Sequence, residues 1–345
     1  MPTRYQVSAP RTLAFGPYDE PALGPGQVRV RTRMSGIKQG TEMALYTGAT
    51  PFREAEFDRE WRAFVPRDPG QPFYPVSLGS WAVGEVVELG PGADRFKPGD
   101  LVHGSMLHQP SNVLAEADLF ALAPSLPAEG ALFTDPALFA LAAVHDAQVK
   151  VGDKVAVFGC GVLGLLAAQI ARLQGAIQVI SVDVIESRLA LARGMGVDQT
   201  LNPRECDAGL EIKRFTGRKG VDAAIEFSGA YSGLQAALRA VHQGGIVACA
   251  GYYKTGQTGL ELGGEWHHNR PQMISSMPVW GNSLRCHPMW TLQRVRETAV
   301  ALLEAGRLTW QPMVTHRFGY ADAAAAYALL DTRPAEAMKI ILDYP

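Results

Sequence analysis

Three glycines and one acidic residue near the middle of the chain have the spacing of a phosphate-binding turn. The apolar run KVAVF leads into GCGVLG, in which Gly159, Gly161 and Gly164 open a helical pattern, and Asp183 ends the next apolar run. A G-x-G-x-x-G sequence alone is weak evidence, but here it follows a predicted strand, opens a predicted helix and precedes an acid. The pattern predicts a dinucleotide-binding unit. A glycine-rich turn that merely joins a strand to a helix is the alternative.

Each position in this turn has a physical reason for its residue type. Gly159 permits the tight turn, Gly161 has no side chain to block a pyrophosphate, and Gly164 lets the helix pack closely on the strand. The first turn of a helix carries unpaired N–H groups, here including those of Val162 and Leu163, which attract phosphate oxygens. We therefore expect all five residues to contact the cofactor.

Asp183 predicts which dinucleotide binds. Its carboxylate would accept hydrogen bonds from the adenosine ribose hydroxyls and would repel a 2′-phosphate, so NAD(H) is expected rather than NADP(H). Arg188 follows on a helical pattern, where its guanidinium either lies over the adenine ring or is an ordinary solvated side chain.

The surrounding sequence changes in character along the chain. Residues 1–150 contain β-forming stretches, such as QVRVRTRM at 27–34 and WAVGEVVEL at 81–89, separated by segments rich in Pro, Gly and Asp. From Val155 onward, short apolar runs alternate with helical patterns, which is typical of βαβ units and a parallel sheet. The later predicted strands are 179–183, 221–227, 245–251 and 338–344, and the predicted helices are 162–174, 187–195, 232–243, 294–306 and 321–332.

The bulk composition excludes several classes of partner. The chain has 345 residues, 47% of them hydrophobic, which suffices for two domains, and its formal net charge is −2. Without a basic run we expect neither nucleic acid nor a membrane surface as a partner. The N-terminal stretch lacks the apolar core of a signal peptide, so a cytoplasmic protein is expected. The four cysteines, Cys160, Cys206, Cys249 and Cys286, are too scattered for disulfides or a cysteine zinc site.

The chain as a whole resembles the medium-chain dehydrogenase/reductase superfamily, the zinc-type alcohol and polyol dehydrogenases and their relatives. The resemblance is carried by PGQVRVRTRMSGI, GEVVELGPGADRFKPGDLV, VKVGDKVAVFGCGVLGLLAAQIARLQGA, GVDAAIEFSGA, GGIVACAGYY and THRFGYADAAAAYALL. It implies an α/β fold in which a GroES-like β-rich catalytic domain, 1–146 with 285–345, encloses a Rossmann doubly wound parallel-sheet domain, 147–284. It also implies cofactor contacts from Ser228, Gly251 and Tyr252, and a homodimer or homotetramer.

The resemblance also locates the positions at which zinc-dependent members hold their catalytic metal. Gln39 stands at the usual cysteine, Ser80 at the histidine and Trp81 at the glutamate, while Asp135 is the one acid in the set. Gln, Ser and Trp do not form a tetrahedral zinc site, so we expect no metal. Two alternatives stay open: His103 or His108 could be recruited from a neighbouring strand, or the mapping could be one residue out of register.

Without a metal, a protein group must stabilise the charge that develops on the reacting oxygen. The candidate catalytic residues are Lys38, Thr41, Tyr46, His103 and Asp135. Gln39, Ser80 and Trp81 are expected to line the substrate pocket. We expect Trp81 to fill the space of the metal or to form a wall rather than to make a hydrogen bond.

Adjacent His267 and His268 suggest a further site, but we expect them in a strand, where neighbouring side chains point to opposite faces and do not share a metal. An ordinary structural use is the preferred interpretation of this pair.

The resulting hypothesis is a zinc-independent NAD(H)-dependent oxidoreductase that interconverts a hydroxyl and a ketone on a polar small molecule such as a sugar, polyol or cyclitol. The alternatives are a zinc-free quinone or enoyl reductase, an epimerase or lyase that uses tightly bound NAD transiently, and an inactive dinucleotide-binding protein.

Overall fold

The computed structural model describes residues 2–253, 259–280 and 289–345, which form two compact units. Unit 1 comprises Met1–Phe133 and Met313–Pro345, and unit 2 comprises Thr134–Pro312. These divisions differ from the predicted domain boundaries at 146/147 and 284/285, the second of which, like Cys286, lies outside the described residues. Two helices that the prediction assigned to the β-rich domain, 134–146 and 292–304, group with unit 2. They pack against each other, and the first also packs against the helix that follows the glycine turn.

The described strands are β1 (Thr3–Ala9), β2 (Thr12–Pro17), β3 (Gln27–Gly36), β4 (Ala55–Asp58), β5 (Ala63–Pro66), β6 (Val76–Ser77), β7 (Trp81–Leu89), β8 (Leu101–Gly104), β9 (Ser111–Ala115), β10 (Phe120–Ala121), β11 (Lys154–Phe158), β12 (Gln178–Val182), β13 (Gln199–Leu201), β14 (Val221–Glu226), β15 (Val241–Cys249), β16 (Gln272–Ser275), β17 (Val314–Gly319) and β18 (Lys339–Asp343). The described helices are α1 (Gln39–Thr47), α2 (Ala128–Ala131), α3 (Thr134–Asp146), α4 (Val162–Gln174), α5 (Glu186–Gly194), α6 (Ala208–Phe215), α7 (Tyr231–Ala240), α8 (His267–Asn269), α9 (Leu292–Glu304) and α10 (Ala323–Thr332).

Unit 1 is built on a mixed sheet with the strand order β10-β8-β7-β3-β18-β17, and β9 also pairs with β3. The alternation in β3 explains its place in the sheet, because Val28 and Val30 are fully buried while Arg31 and Arg33 are exposed. Arg31 and Arg33 both form ion pairs with Glu85 of the adjacent strand β7. The prediction of a β-rich first part is confirmed.

Unit 2 contains a parallel sheet with the strand order β13-β12-β11-β14-β15-β16. Its central strands are buried on both faces, as their continuous apolar sequences predict; residues 155–158 are all buried. Helix α3 packs against α4 and α9 in the same unit. The predicted alternation of strands and helices is confirmed. Among the described helices, none combines the length and the apolar character needed to cross a lipid bilayer.

Two local predictions in unit 2 are wrong. The helix predicted over 232–243 ends at Ala240, and β15 begins at Val241 because Val241 pairs with Val221 of β14. The sheet pairing therefore overrides the helical pattern in its last three residues. His267 and His268 lie on the short helix α8 rather than in a strand, and their rings meet edge to face with centroids 5.2 Å apart.

Candidate functional site

The glycine turn, residues 159–164, has the geometry that its spacing predicts. Gly159 has a φ of +91°, which favours glycine, and a Cβ there would lie 2.8 Å from the Ser228 nitrogen. A Cβ on Gly164 would lie 1.8 Å from the Gly159 carbonyl oxygen, so this position requires glycine. A Cβ on Gly161, in contrast, would meet no described heavy atom within 4 Å. Gly159 and Gly164 are thus packed against neighbouring backbone atoms, while Gly161 has open space beside it. Val162 and Leu163 form the first turn of α4.

Asp183 follows β12 and faces the glycine turn. Its carboxylate accepts hydrogen bonds from the backbone N–H of Cys160 at 2.6 Å and of Ile185 at 2.8 Å. Each carboxylate oxygen has a second lone pair, so the group retains capacity to accept ligand hydroxyls. Arg188 lies close enough to this turn for its guanidinium to oppose the burial that raises the pKa of the Cys160 thiol. The structure therefore places Asp183 and Arg188 beside the predicted phosphate turn.

Ser228, Gly251 and Tyr252 lie on two loops at the carboxyl ends of β14 and β15. Ser228 and Tyr252 are exposed, and a Cβ on Gly251 would lie 2.6 Å from the Gly229 nitrogen. Ligands of doubly wound sheets bind at this edge. Sequence reasoning missed Glu226, which ends β14 fully buried and bonds to both loops. A carboxylate at the end of the apolar run VDAAIEF was the available signal.

In unit 1, the ends of β3 and β7 bring several predicted residues together. Gly36, at the end of β3, pairs with Trp81, at the start of β7. Lys38 and Gln39 follow this end of β3, and Ser80 precedes Trp81; all three are half-buried. This end of the sheet therefore gathers Gln39, Ser80 and Trp81, the residues that the resemblance predicts at the metal positions.

Trp81 and His103, both buried, form an aromatic cluster with the half-buried Phe120, here called the Trp81 cluster. The indole N–H of Trp81 donates to Nδ1 of His103 at 3.2 Å, and the His103 ring stacks on Phe120 with centroids 5.5 Å apart. Burial lowers the pKa of His103 to about 4, so its ring is neutral at pH 7. Trp81 therefore also has the hydrogen-bonding role that was the less favoured alternative to filling space, because β7 and β8 are adjacent and bring its N–H to a ring nitrogen.

A second buried cluster, here called the Glu42 network, joins Ser35, Glu42, His108, Tyr327 and Tyr344. His108 bonds through Nδ1 to the Ser35 hydroxyl at 2.7 Å and through Nε2 to the Glu42 carboxylate at 3.0 Å. Tyr327 donates to the same carboxylate, and the Tyr344 and Ser35 hydroxyls are 3.1 Å apart. Burial works to raise the pKa of Glu42, but His108 and these hydrogen bonds hold it below the ordinary value.

The Glu42 network fixes the start of α1. The other Glu42 oxygen accepts the backbone N–H of Lys38, the N-cap residue, at 2.8 Å. Sequence reasoning placed Glu42 in the QGTE stretch but assigned it no role. Its position within the apolar run that follows, EMALY, was the signal that it points inward.

The remaining candidates have different surroundings. Thr41 is exposed on the first turn of α1. Tyr46 is buried and its ring packs 5.5 Å from that of Tyr327 in an apolar core, where burial raises its pKa. Asp135 is half-buried at the start of α3 in unit 2. A buried lysine missed by sequence reasoning, Lys339, points its ammonium at the Ile37 carbonyl oxygen, 3.4 Å away.

The donor set does not fit a tetrahedral zinc ion. Gln39, Ser80 and Trp81 offer an amide, a hydroxyl and an indole whose N–H is already used. In the part of the chain that the structure describes, no three His, Cys, Asp or Glu side chains are grouped to hold a metal. His108 has both ring nitrogens in hydrogen bonds. Nδ1 of His103 accepts from Trp81, which leaves the proton on Nε2, so that nitrogen offers no lone pair to a metal in this arrangement.

Comparison with known proteins agrees with this architecture. The family model for the alcohol dehydrogenase GroES-like domain matches residues 24–118, and that for zinc-binding dehydrogenase matches residues 162–286. The chain belongs to the zinc-type medium-chain dehydrogenase superfamily and is an oxidoreductase of the alcohol dehydrogenase kind. The predicted pair of folds, a GroES-like domain and a Rossmann-like parallel-sheet domain, is confirmed.

One curated protein and two solved structures illustrate what the chain is similar to. The chain is 33% identical over 343 residues to the D-guloside 3-dehydrogenase of Escherichia coli K12, covering 97% of each protein. Solved dehydrogenase structures from Sinorhizobium meliloti 1021, bound to NADP, and Escherichia coli CFT073, complexed with NADH, each superpose with a TM-score of 0.78. The first is 20% identical in sequence, and the match covers 99% of this chain and 98% of that one. The second is 17% identical, and the match covers 99% of both chains. The family and the glycine turn together establish a nicotinamide dinucleotide as cofactor.

Proposed function

We propose that this protein is an NAD(H)-dependent dehydrogenase that interconverts a secondary hydroxyl and a ketone on a sugar or polyol, without a catalytic zinc ion. The observation that carries the proposal is the Asp183 carboxylate, oriented by two backbone N–H groups beside an open glycine turn in a chain of this superfamily.

Asp183 supports the choice of NAD(H). Its carboxylate is 8% exposed and is held by the amides of Cys160 and Ile185, so it cannot swing away from an incoming ribose. A 2′-phosphate would bring a second negative charge to the same place, where the two charges repel. Glu186, which begins α5, adds another negative charge nearby.

The sugar or polyol substrate is supported by the full-length similarity to D-guloside 3-dehydrogenase. When bound, the nicotinamide ring of the cofactor accepts a hydride from the carbinol carbon. The hydroxyl must also lose its proton to a base or to solvent, and its oxygen carries negative charge until the hydride has left. That charge requires a partner, and the residues that the resemblance predicts at the metal positions offer an amide, a hydroxyl and an aromatic ring. Lys38 and Ser80, beside the paired ends of β3 and β7, and Thr41, on the first turn of α1, are the polar side chains that we propose for this role.

The cofactor half of the proposal predicts a change of specificity in Asp183→Asn. The amide oxygen keeps one hydrogen-bond acceptor but the charge is gone, so the affinity for NADPH should rise relative to that for NADH by about tenfold, which corresponds to roughly 1.4 kcal/mol. Fluorescence titration of both cofactors measures the two dissociation constants. Glu297→Gln, on the exposed face of α9, removes the same charge as a control and should leave the ratio unchanged. A wild-type protein that prefers NADPH would contradict the proposal and favour a quinone or enoyl reductase.

The chemical half is tested by turnover on a panel of alkyl glycosides, free sugars and polyols, with elemental analysis of the same preparation. We expect NAD⁺ reduction that persists after chelation, with far less than one zinc ion per chain. One tightly held divalent ion per chain, with activity lost on chelation, would overturn zinc independence. NAD retained through purification without net turnover would favour an epimerase or lyase, and cofactor binding without any reaction would favour an inactive protein.

Two further expectations remain proposals: a location in the cytoplasm and a homodimer or homotetramer. Sedimentation analysis of the purified chain decides the second, and a purely monomeric protein would contradict it.

A further inference from the structure

Glu226 is a fully buried carboxylate on which four hydrogen-bond donors converge. It accepts the backbone N–H of Ser228 at 2.7 Å, the Ser228 hydroxyl, the backbone N–H of Gly229 at 3.3 Å and the hydroxyl of Tyr253 at 2.5 Å. Two of these donors are amides, which can only donate, and one bonds to each carboxylate oxygen. These hydrogen bonds to both carboxylate oxygens therefore fix the orientation of the side chain.

The same residue ties two loops together. Its backbone carbonyl oxygen accepts the N–H groups of Ala250 at 2.9 Å and Gly251 at 2.7 Å. The residue thus fixes the loop after β14, at 228–230, and the loop after β15, at 250–253. These are the loops that carry Ser228, Gly251 and Tyr252, the predicted cofactor contacts outside the glycine turn.

The segment that follows Glu226 after β14 also lies directly against the glycine turn. A Cβ on Gly159 would be 2.8 Å from the Ser228 nitrogen, and the N–H of Phe227 donates to the Phe158 carbonyl oxygen at 2.8 Å. The carboxylate is therefore within the first layer of residues behind the surface at which the dinucleotide is expected.

The charge of Glu226 has no cation among its hydrogen-bond partners in the described residues. Burial raises its pKa, while the hydrogen bonds from Ser228, Tyr253 and Gly229 oppose that rise. An ionised carboxylate accepts all four donors at once. A buried charge acts strongly on neighbouring ligands, because little water screens it.

We propose that Glu226 is a positioning residue for the two cofactor loops, and that its negative charge favours binding of NAD⁺, whose nicotinamide ring is cationic, over binding of NADH. The inference rests on the proposed function, since it assumes that this sheet edge binds NAD(H). Its consequence is a bias of the binary complex towards the form of cofactor that oxidises a hydroxyl.

The test compares dissociation constants for NAD⁺ and NADH in the wild type and three variants, with NADH followed by fluorescence and NAD⁺ by competition. Glu226→Gln keeps the shape and removes the charge, so NAD⁺ should lose at least about fivefold more affinity than NADH. Tyr253→Phe removes one neutral donor and keeps the charge, so both affinities should fall by a similar factor. Glu297→Gln, distant in sequence and exposed, should change neither.

The outcomes separate the inference from the proposed function. A wild type that binds neither cofactor sinks the proposed function itself. A wild type that binds both, with an unchanged NAD⁺/NADH ratio in folded Glu226→Gln, overturns the charge effect. If circular dichroism finds Glu226→Gln unfolded, the decision passes to Tyr253→Phe: unchanged dissociation constants there overturn the positioning role, and a joint loss supports it.

Discussion

His103 and His108 are both buried in unit 1 and lie close in sequence, but their ring nitrogens have different partners. His108 bonds to a hydroxyl on one side and a carboxylate on the other, so both nitrogens are satisfied. His103 accepts a hydrogen bond from Trp81, and its Nε2 atom has no partner among the described residues. Because an indole N–H only donates, Nδ1 of His103 must carry the lone pair and Nε2 the proton.

This difference in hydrogen bonding determines whether each histidine can still bind another group. His108 belongs to a closed network in which every polar side chain has a partner, and such a network specifies a structure rather than receiving a ligand. His103 presents a neutral N–H donor that nothing described accepts, and it lies two residues further into the sheet than Trp81. Removing parts of the two clusters should therefore have unequal effects on stability and on its pH dependence.

The largest effect is expected from Glu42→Leu, which removes the acceptor of the Glu42 network while leaving most of the volume filled. The buried donors of His108, Tyr327 and the Lys38 amide would lose their acceptor, which should lower the free energy of unfolding by about 3–5 kcal/mol. Urea denaturation followed by circular dichroism measures the change. Glu42→Gln, which keeps one acceptor oxygen, is the matched control and should cost less. A loss below about 1 kcal/mol for the leucine variant would mean that the network does not hold α1.

The next largest effect is the change in the free energy of unfolding with pH that His103 is expected to cause. Its pKa is about 4 in the folded protein and about 6.5 when unfolded. Between these values the unfolded chain binds the proton and the folded chain does not, so stability is complete above pH 6.5 and falls as the pH drops towards 4. The loss should total about 3 kcal/mol. Unfolding free energies measured across this window in the wild type and in His103→Phe give the contribution by difference. An identical slope in the two proteins would contradict the neutral, buried ring.

Much of unit 2 could be predicted from the sequence because local rules and the final fold agree there. The glycine turn requires Gly159 and Gly164 for reasons of backbone conformation and close approach, and those reasons are visible in the spacing alone. The end of α7 could not be predicted, since Val241 enters β15 by pairing with a distant strand.

In unit 1 the resemblance predicted which residues stand at the metal positions, but the sequence did not predict what those residues contact. The hydrogen bond from Trp81 to His103 depends on the register of β7 against β8, in which Val83 lies opposite His103. The Glu42 network draws on five separate segments, from Ser35 to Tyr344, and no local pattern links them. Tyr46 was a reasonable hydroxyl donor by type, and only the packing of α1 against α10 directs it into a core.

The smallest expected effect separates the two causes that could keep His103 neutral. Trp81→Phe removes the indole N–H and retains an aromatic ring against Phe120, so the unfolding free energy should fall by about 1–2 kcal/mol. Burial is what lowers the pKa of His103, and the phenylalanine leaves the ring buried. The variant should therefore keep the loss of stability between pH 6.5 and 4. If that loss disappears in Trp81→Phe, the hydrogen bond rather than burial holds the proton away, and the contrast with His108 rests on the Trp81 N–H alone.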